Sequence, residues 1–183
     1  MPRGSDKIKI GSGHMIQFEL RKATKEDIPN LVKLCKETVV EVYGQILPWE
    51  KLEPWAEGDM AEGVVNKQWQ NMIVAEKAGE ILGVVAESDD KIDLLWVHPA
   101  HHRKGIGSAL LDVVETELWK AGYEAGTLEC FSDNDRAMGF YRAKGWEFFC
   151  EEMDEEAGAL KTVMTKALTK KEKKEKVKMK RSW

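Results

Sequence analysis

The stretch IDLLWVHPAHHRKGIGSALL, residues 92–111, decides how the rest of the chain is read. Ile92, Leu94, Leu95, Trp96 and Val97 form an apolar run that does not alternate cleanly between two faces, the pattern of a central strand buried on both sides. Pro99 ends the strand. From Ile106 onward, Leu110, Val113, Val114 and Leu118 recur at helical spacing, so a helix begins at Gly105-Ile106-Gly107 with Arg103 and Lys104 just ahead of it. A helix N-terminus presents unpaired N–H groups and the positive end of the backbone dipole, and glycines allow a ligand to approach the backbone closely. The stretch thus predicts an anion site suited to a pyrophosphate.

Two nucleotide-binding motifs compete for that description, and neither fits. A dinucleotide-binding turn needs GxGxxG directly after its strand, but Leu110 stands where the third glycine belongs and seven residues separate the strand from Gly105. A P-loop needs Gly-Lys-Ser/Thr at the end of its loop, and here Lys104 precedes Gly105.

Around this centre the 183 residues suit one domain. Residues 1–14 have the look of expression-tag remnants, which leaves 15–168 as the expected domain and 169–183 as a tail. No apolar run reaches the ~18 residues of a membrane span and no secretory signal is evident, so a cytoplasmic protein without a membrane partner is expected. Cys35, Cys130 and Cys150 are odd in number, far apart and set in apolar segments; they read as reduced core thiols, with no metal site expected. Of the net charge of −4, residues 1–14 hold +2 and residues 169–183 hold +6, which leaves 15–168 at −12. An acidic body attracts cationic ligands and repels nucleic acid. The Lys/Glu tail reads as a solvated segment, with RNA binding a lesser alternative because no aromatic interrupts its basic residues before Trp183.

Residues 17–22 read as a first strand. Thr24 and Asp27 resemble a capping box, and a helix runs from one of them to Tyr43. Residues 45–58, with Pro48, Trp49, Pro54 and Trp55, read as a proline-punctuated loop whose tryptophans either plug the core or wall a pocket. Asp59 caps a second helix over 60–70. Strands follow at 72–76, 81–86 and 92–97, then the helix to Ala121, a strand at 126–131, a short helix through Tyr141 to Lys144, and an antiparallel pair at 146–150 and 160–168. This order, β-α-α-β-β-β-α-β-α-β-β, implies an α/β fold built on a mixed sheet with helices on both faces.

The segment His102-Arg103-Lys104-Gly105-Ile106-Gly107 resembles motif A of the GNAT superfamily of N-acetyltransferases, (Gln/Arg)-x-x-Gly-x-(Gly/Ala), with His102 departing at the first position. Residues 134–146 resemble motif B of the same family: Asn134, Ala137, Tyr141 and Gly145 stand at its spacings, and Trp146 takes the place of the usual Phe. The resemblance implies a mostly antiparallel mixed sheet of about seven strands and a monomer or homodimer that transfers acetyl from acetyl-coenzyme A to a small-molecule or peptide amine. It implies that the amides and cations of His102, Arg103, Lys104, Gly105, Ile106, Gly107 and Ser108 hold the pyrophosphate. Leu95, Trp96 and Val97 would offer backbone to the pantetheine arm, provided the strand at 126–131 diverges, and a free N–H near Val97 would polarise the thioester. Asn134 and Ala137 would complete the cofactor site, and Tyr141 would protonate the departing thiolate. For the base that receives the amine's proton, Asp93, Glu129 and His98 remain open, Asp93 and Glu129 ahead of His98. The family's acceptor pocket also draws on the segment after the first helix, hence on Trp49 and Trp55. A catalytically inactive coenzyme A binding regulatory module is the alternative reading.

Overall fold

The computed structural model describes residues 16–170. The elements are β1 (Glu19–Lys22), α1 (Ile28–Tyr43), α2 (Trp49–Ala56), α3 (Met60–Gln68), β2 (Met72–Lys77), β3 (Glu80–Ser88), β4 (Lys91–Val97), α4 (Ile106–Lys120), β5 (Ala125–Phe131), α5 (Asp135–Ala143), β6 (Glu147–Asp154) and β7 (Ala159–Ala167). The seven strands form one sheet in the order β1-β2-β3-β4-β5-β7-β6. Only β4 and β5 run parallel; the other pairs are antiparallel, as expected. One helix was not foreseen. Residues 49–56 are helical in spite of Pro54, because Pro48 leaves the chain extended at the N-cap and Leu52 is buried against α1. The tail from 171 onward and the leading residues 1–15 lie outside the described residues, and with them the readings of tag and tail.

The sheet separates two cores. On one face α4 and α5 pack Ile106, Leu110, Leu111, Val114, Leu118, Met138 and Tyr141 against Ile73, Val85, Ile92 and Leu128. On the other, α1, α2 and α3 pack Leu31, Leu34, Cys35, Leu52 and Val65 against Val74, Val84, Leu94 and Trp96. At the foot of α1, Asp27 receives both guanidinium nitrogens of Arg21 and the backbone N–H of Thr24, so the expected capping box is present, with Asp27 held as a carboxylate below its ordinary range by the Arg21 bonds.

β4 owes its apolar run to a bulge. Glu87 pairs with Ile92 and Ala86 with Leu94, so Asp93 has no opposite number on β3. The extra residue shifts the alternation: Ile92 belongs to the α4/α5 core and Leu94 to the α1 core, whereas in a regular strand they would share a face. Glycine at position 83 lets α4 lie close to the sheet, since a Cβ there would come within 2.9 Å of the Trp96 carbonyl oxygen and 3.1 Å of Ile106 and Leu110. Two of the three cysteines sit less deeply than expected. Cys35 is buried, but Cys130 lines a cleft and Cys150 lies on the edge strand β6, where a bulge beside Phe149 turns side chains outward.

Candidate functional site

β4 and β5 pair only at Lys91 with Thr127 and Ile92 with Leu128, and beyond that they diverge. The bulge at Asp93 begins the divergence. In the antiparallel ladder with β3, the N–H of His98 donates to the Leu82 carbonyl at 2.8 Å, so by alternation the N–H and C=O groups of Leu95 and Val97 point away from β3 into the opening. Trp96 has the opposite parity: its backbone is spent on β3. Of the three residues expected to offer backbone, Leu95 and Val97 thus face the opening and Trp96 faces β3.

A cleft of ≈ 1360 Å³ fills this opening and continues between α1, α2, the N-termini of α4 and α5 and the β6–β7 turn. At its mouth the chain from Pro99 to His101 makes one 3-10 turn, Arg103 takes a left-handed φ of 60°, and Gly105 caps α4 with φ 82°. The first bond of the helix runs from the Ala109 N–H to the Gly105 carbonyl at 3.0 Å, so the N–H groups of Ile106, Gly107 and Ser108 face outward without helical partners. A Cβ at Gly107 would meet nothing closer than 3.5 Å, and the residue lines the cleft, so packing does not require glycine there.

The predicted loop residues divide by role. His102 donates from Nε2 to the Val97 carbonyl at 2.7 Å, and burial holds its pKa below the usual histidine value, with Arg136 acting in the same sense. Arg103 is exposed and lines the cleft. Lys104 does not line it; its ammonium folds back to the Ala100 carbonyl at 3.0 Å. The Ile106 side chain is in the core, 1% exposed, so only its amide is available. At the other wall Asn134 caps α5, its Oδ1 accepting from the Ala137 N–H at 3.2 Å, and both residues line the cleft.

Tyr141 is buried, 9% exposed, and still lines the cleft. Its ring meets Phe140 and Trp146 edge to face at 5.2 and 6.4 Å, and burial pushes its pKa far above the usual tyrosine value, aided by Cys130 and Tyr43. It is therefore a phenol, still carrying its proton, at neutral pH.

Among the base candidates, Asp93 stands exposed at the bulge in the cleft wall. Glu129 also lines the cleft but accepts from Lys91 at 2.8 Å and Lys161 at 3.1 Å; burial raises its pKa and those two bonds outweigh it, so that it lies below the ordinary value. His98 lies outside the cleft wall. Its Nδ1 accepts from the Ala100 N–H at 3.1 Å and its Nε2 donates to Glu37 at 3.0 Å, so both nitrogens are engaged. Of the two tryptophans, Trp55 lines the cleft and Trp49 is 48% exposed outside its wall.

Tyr43, Cys130 and Arg136 are among the cleft residues that escaped the sequence reading. Tyr43, whose pKa burial pushes to about 12, packs edge to face on Phe131 at 5.3 Å; Cys130, pushed to about 11 by burial, lies near Tyr141; and Arg136 adds a cation at the N-terminus of α5. Tyr43 closes a helix and Cys130 sits mid-strand, so neither falls in a recognisable motif. Arg136 lies inside the second motif but at one of its unspecified positions.

The family model described as "Acetyltransferase (GNAT) domain" matches residues 36–168. Among solved structures, the fold is similar to a GCN5-related N-acetyltransferase from Rhodopseudomonas palustris, with TM-score 0.72 and 23% identity over 86% of this chain and 100% of that one. It is also similar to the PaiA N-acetyltransferase from Thermoplasma acidophilum in complex with coenzyme A (TM-score 0.69, 21% identity, 83% and 99% coverage). A third is yncA from Salmonella typhimurium, with its cofactor acetyl-CoA (TM-score 0.65, 16% identity, 87% and 98% coverage). Among the described residues no helix is long and apolar enough to cross a membrane.

Proposed function

Because the chain belongs to the GNAT acetyltransferase family, we propose that it transfers the acetyl group of acetyl-coenzyme A to a primary amine by direct attack within a ternary complex. The observation that carries this reading is the opening of β4 away from β5 directly above the free N-terminus of α4, with the Tyr141 phenol in its wall.

The chain's own groups suit each part of the cofactor. The outward N–H groups of Ile106, Gly107 and Ser108, with Arg103 and Arg136 beside them, can hold a pyrophosphate, and glycine at 107 leaves the room it needs. The exposed backbone polar groups of Leu95 and the N–H of Val97, whose carbonyl already accepts from His102, match the amides of pantetheine, as an added strand would. The Val97 N–H then faces the thioester oxygen and stabilises the negative charge that grows there. As the amine nitrogen bonds to the carbonyl carbon and the C–S bond breaks, Tyr141 gives its proton to the sulfur. Asp93, unlike the doubly paired Glu129, is free to take up the amine's proton at the bulge, directly or through water. Among the comparisons, the complexes with coenzyme A and acetyl-CoA support the choice of co-substrate.

The experiment is release of free thiol from acetyl-coenzyme A in the presence of amines, compared between wild type and Tyr141→Phe. Amine-dependent release that collapses in the variant, with coenzyme A binding retained, supports the reading; binding without release for any amine across a broad set sinks it.

A further inference from the structure

Independently of the acetyl-transfer reading, we propose that the basic segment 171–183 of this chain docks on the outer edge of β6. That strand ends the sheet: among the described residues it pairs with β7 alone, so one row of its backbone N–H and C=O groups lies open. Open edges are normally short or guarded by lysine, whereas β6 runs for eight residues, Glu147–Asp154, without a basic side chain. It is also apolar where water meets it. The pairings Phe148–Met164 and Met153–Leu160 put Phe148, Met153 and Leu160 on the sheet face of Met164, and all three are exposed, Phe148 at 61%. Phe149, in the bulge, is 67% exposed. Two neighbouring phenylalanines on an unpaired edge mark a surface that something covers.

Charge selects the occupant. Residues 147–156 carry six carboxylates and no cation. Two lysines lie near them, Lys51 at the Glu156 carbonyl and Lys161 opposite Glu152 but bound to Glu129, and they leave the strand with a surplus of negative charge. A second copy pairing β6 with β6 would set two such strands in like-charge contact, which is unfavourable. Residues 171–183 are the complement: they hold seven Lys and Arg against two Glu. Val177, Met179 and Trp183 stand two and four residues apart among those cations, a spacing that can present apolar groups to Phe148 and Phe149 while Lys176, Lys178 and Lys180 meet Glu147, Glu151 and Glu152. The segment also departs from the right place. The Leu168 N–H donates to the Glu124 carbonyl at 2.8 Å, which fixes the chain just past β7, and Thr165, three residues earlier, pairs with Glu147 at the start of β6. From there 13 residues reach up to about 40 Å, more than the roughly 26 Å length of β6.

The test uses the full chain and reads hydrogen exchange of the β6 amides together with zero-length carbodiimide cross-linking. It compares wild type with a tail variant, Lys176→Glu with Lys178→Glu and Lys180→Glu, and with a strand variant, Phe148→Ser with Phe149→Ser. Both phenylalanines are exposed, so the strand variant is expected to keep the wild-type unfolding midpoint. The expected result is β6 exchange several-fold slower in wild type than in either variant, a difference that shrinks in high salt, and cross-links within monomeric protein between lysines of 171–183 and carboxylates of 147–156. Equal exchange in wild type and the tail variant overturns the proposal, and so does protection that survives the strand variant undiminished. Protection that grows with protein concentration, or cross-links confined to dimers, overturns it in favour of a second copy on the same edge.

Discussion

The Nε2–H of His102 donates to the carbonyl oxygen of Val97 at 2.7 Å, joining the anion-binding loop to the end of the strand that borders the cleft. This bond gives a reason for histidine at the one loop position where the sequence departs from motif A: the side chain supplies a donor that holds the loop in register with the Val97 backbone. Loss of the donor should loosen the loop, whereas glutamine can still supply one. His102→Ala is expected to weaken coenzyme A binding by about tenfold, the worth of roughly one hydrogen bond, and His102→Gln to restore most of it, as read by calorimetry.

The same contact has a pH signature. Burial lowers the pKa of His102, so the unfolded chain takes up a proton at a higher pH than the folded one does. The contribution to stability is present above the ordinary histidine value of about 6.5 and is lost as pH falls from there through the lower folded-state pKa. The unfolding midpoint of wild type should therefore drop more between pH 7 and pH 5.5 than that of His102→Gln, and equal drops would assign the pH effect elsewhere.

Two glycines separate stability from binding. At Gly83 a Cβ would press on the Trp96 carbonyl at 2.9 Å, so Gly83→Ala is expected to destabilise the fold by about 1–3 kcal/mol. At Gly107 the nearest atom is 3.5 Å away, so Gly107→Ala should leave the unfolding midpoint nearly unchanged and reduce coenzyme A affinity, because the added methyl occupies the space in front of the α4 amides. Denaturant titration and calorimetry on the two variants check this crossed pattern.

How far these features could be read from sequence depends on whether they are local. The turn from Pro99 through Gly105 into α4 is encoded within a few residues, and the Asn134 cap and Tyr141 sit in one short motif, so both were legible. The bulge was not: an unpaired residue at Asp93 is defined by the register of Ala86 and Glu87 on another strand, and its only local trace is the broken alternation of Ile92 and Leu94. Likewise α2 was read as a loop because Pro54 is a poor helix residue, while burial of Leu52 against α1, a tertiary contact, overrides that preference. The pairing of Glu129 with Lys91 and Lys161 joins three strands and leaves no mark on any one of them.

Tyr141 should act as an acid whose protonation does not limit the reaction. Its pKa is raised by burial, so its proton is retained well beyond the ordinary tyrosine value of about 10. Tyr141→Phe is expected to lower kcat by roughly 10²-fold with coenzyme A affinity unchanged, and the wild-type rate should hold its plateau on the alkaline side through pH 9. Loss of affinity in step with kcat would make the hydroxyl a binding group instead.

The position of Tyr141 depends in turn on a buried charge network behind it. Glu115 on α4 is 3% exposed, accepts from the Trp146 indole N–H at 2.9 Å, and receives the Lys166 ammonium on both carboxylate oxygens at 3.0 Å. Lys166 also donates to the Lys144 carbonyl at 2.7 Å, so one ammonium ties β7 to α4 and to the end of α5, while Trp146 packs against the Tyr141 ring. Removing only the cation takes the Lys166 donor from both oxygens of a buried carboxylate, a worse outcome than removing both charges. Lys166→Met should therefore cost about 3 kcal/mol, and the double change Glu115→Gln with Lys166→Met should recover part of that loss, since the amide still accepts from Trp146 without needing a counter-charge. Denaturant unfolding of the two single variants and the double variant measures the coupling. A double variant no more stable than Lys166→Met would show that the packing of the lysine stem, not the charge left on Glu115, sets the cost.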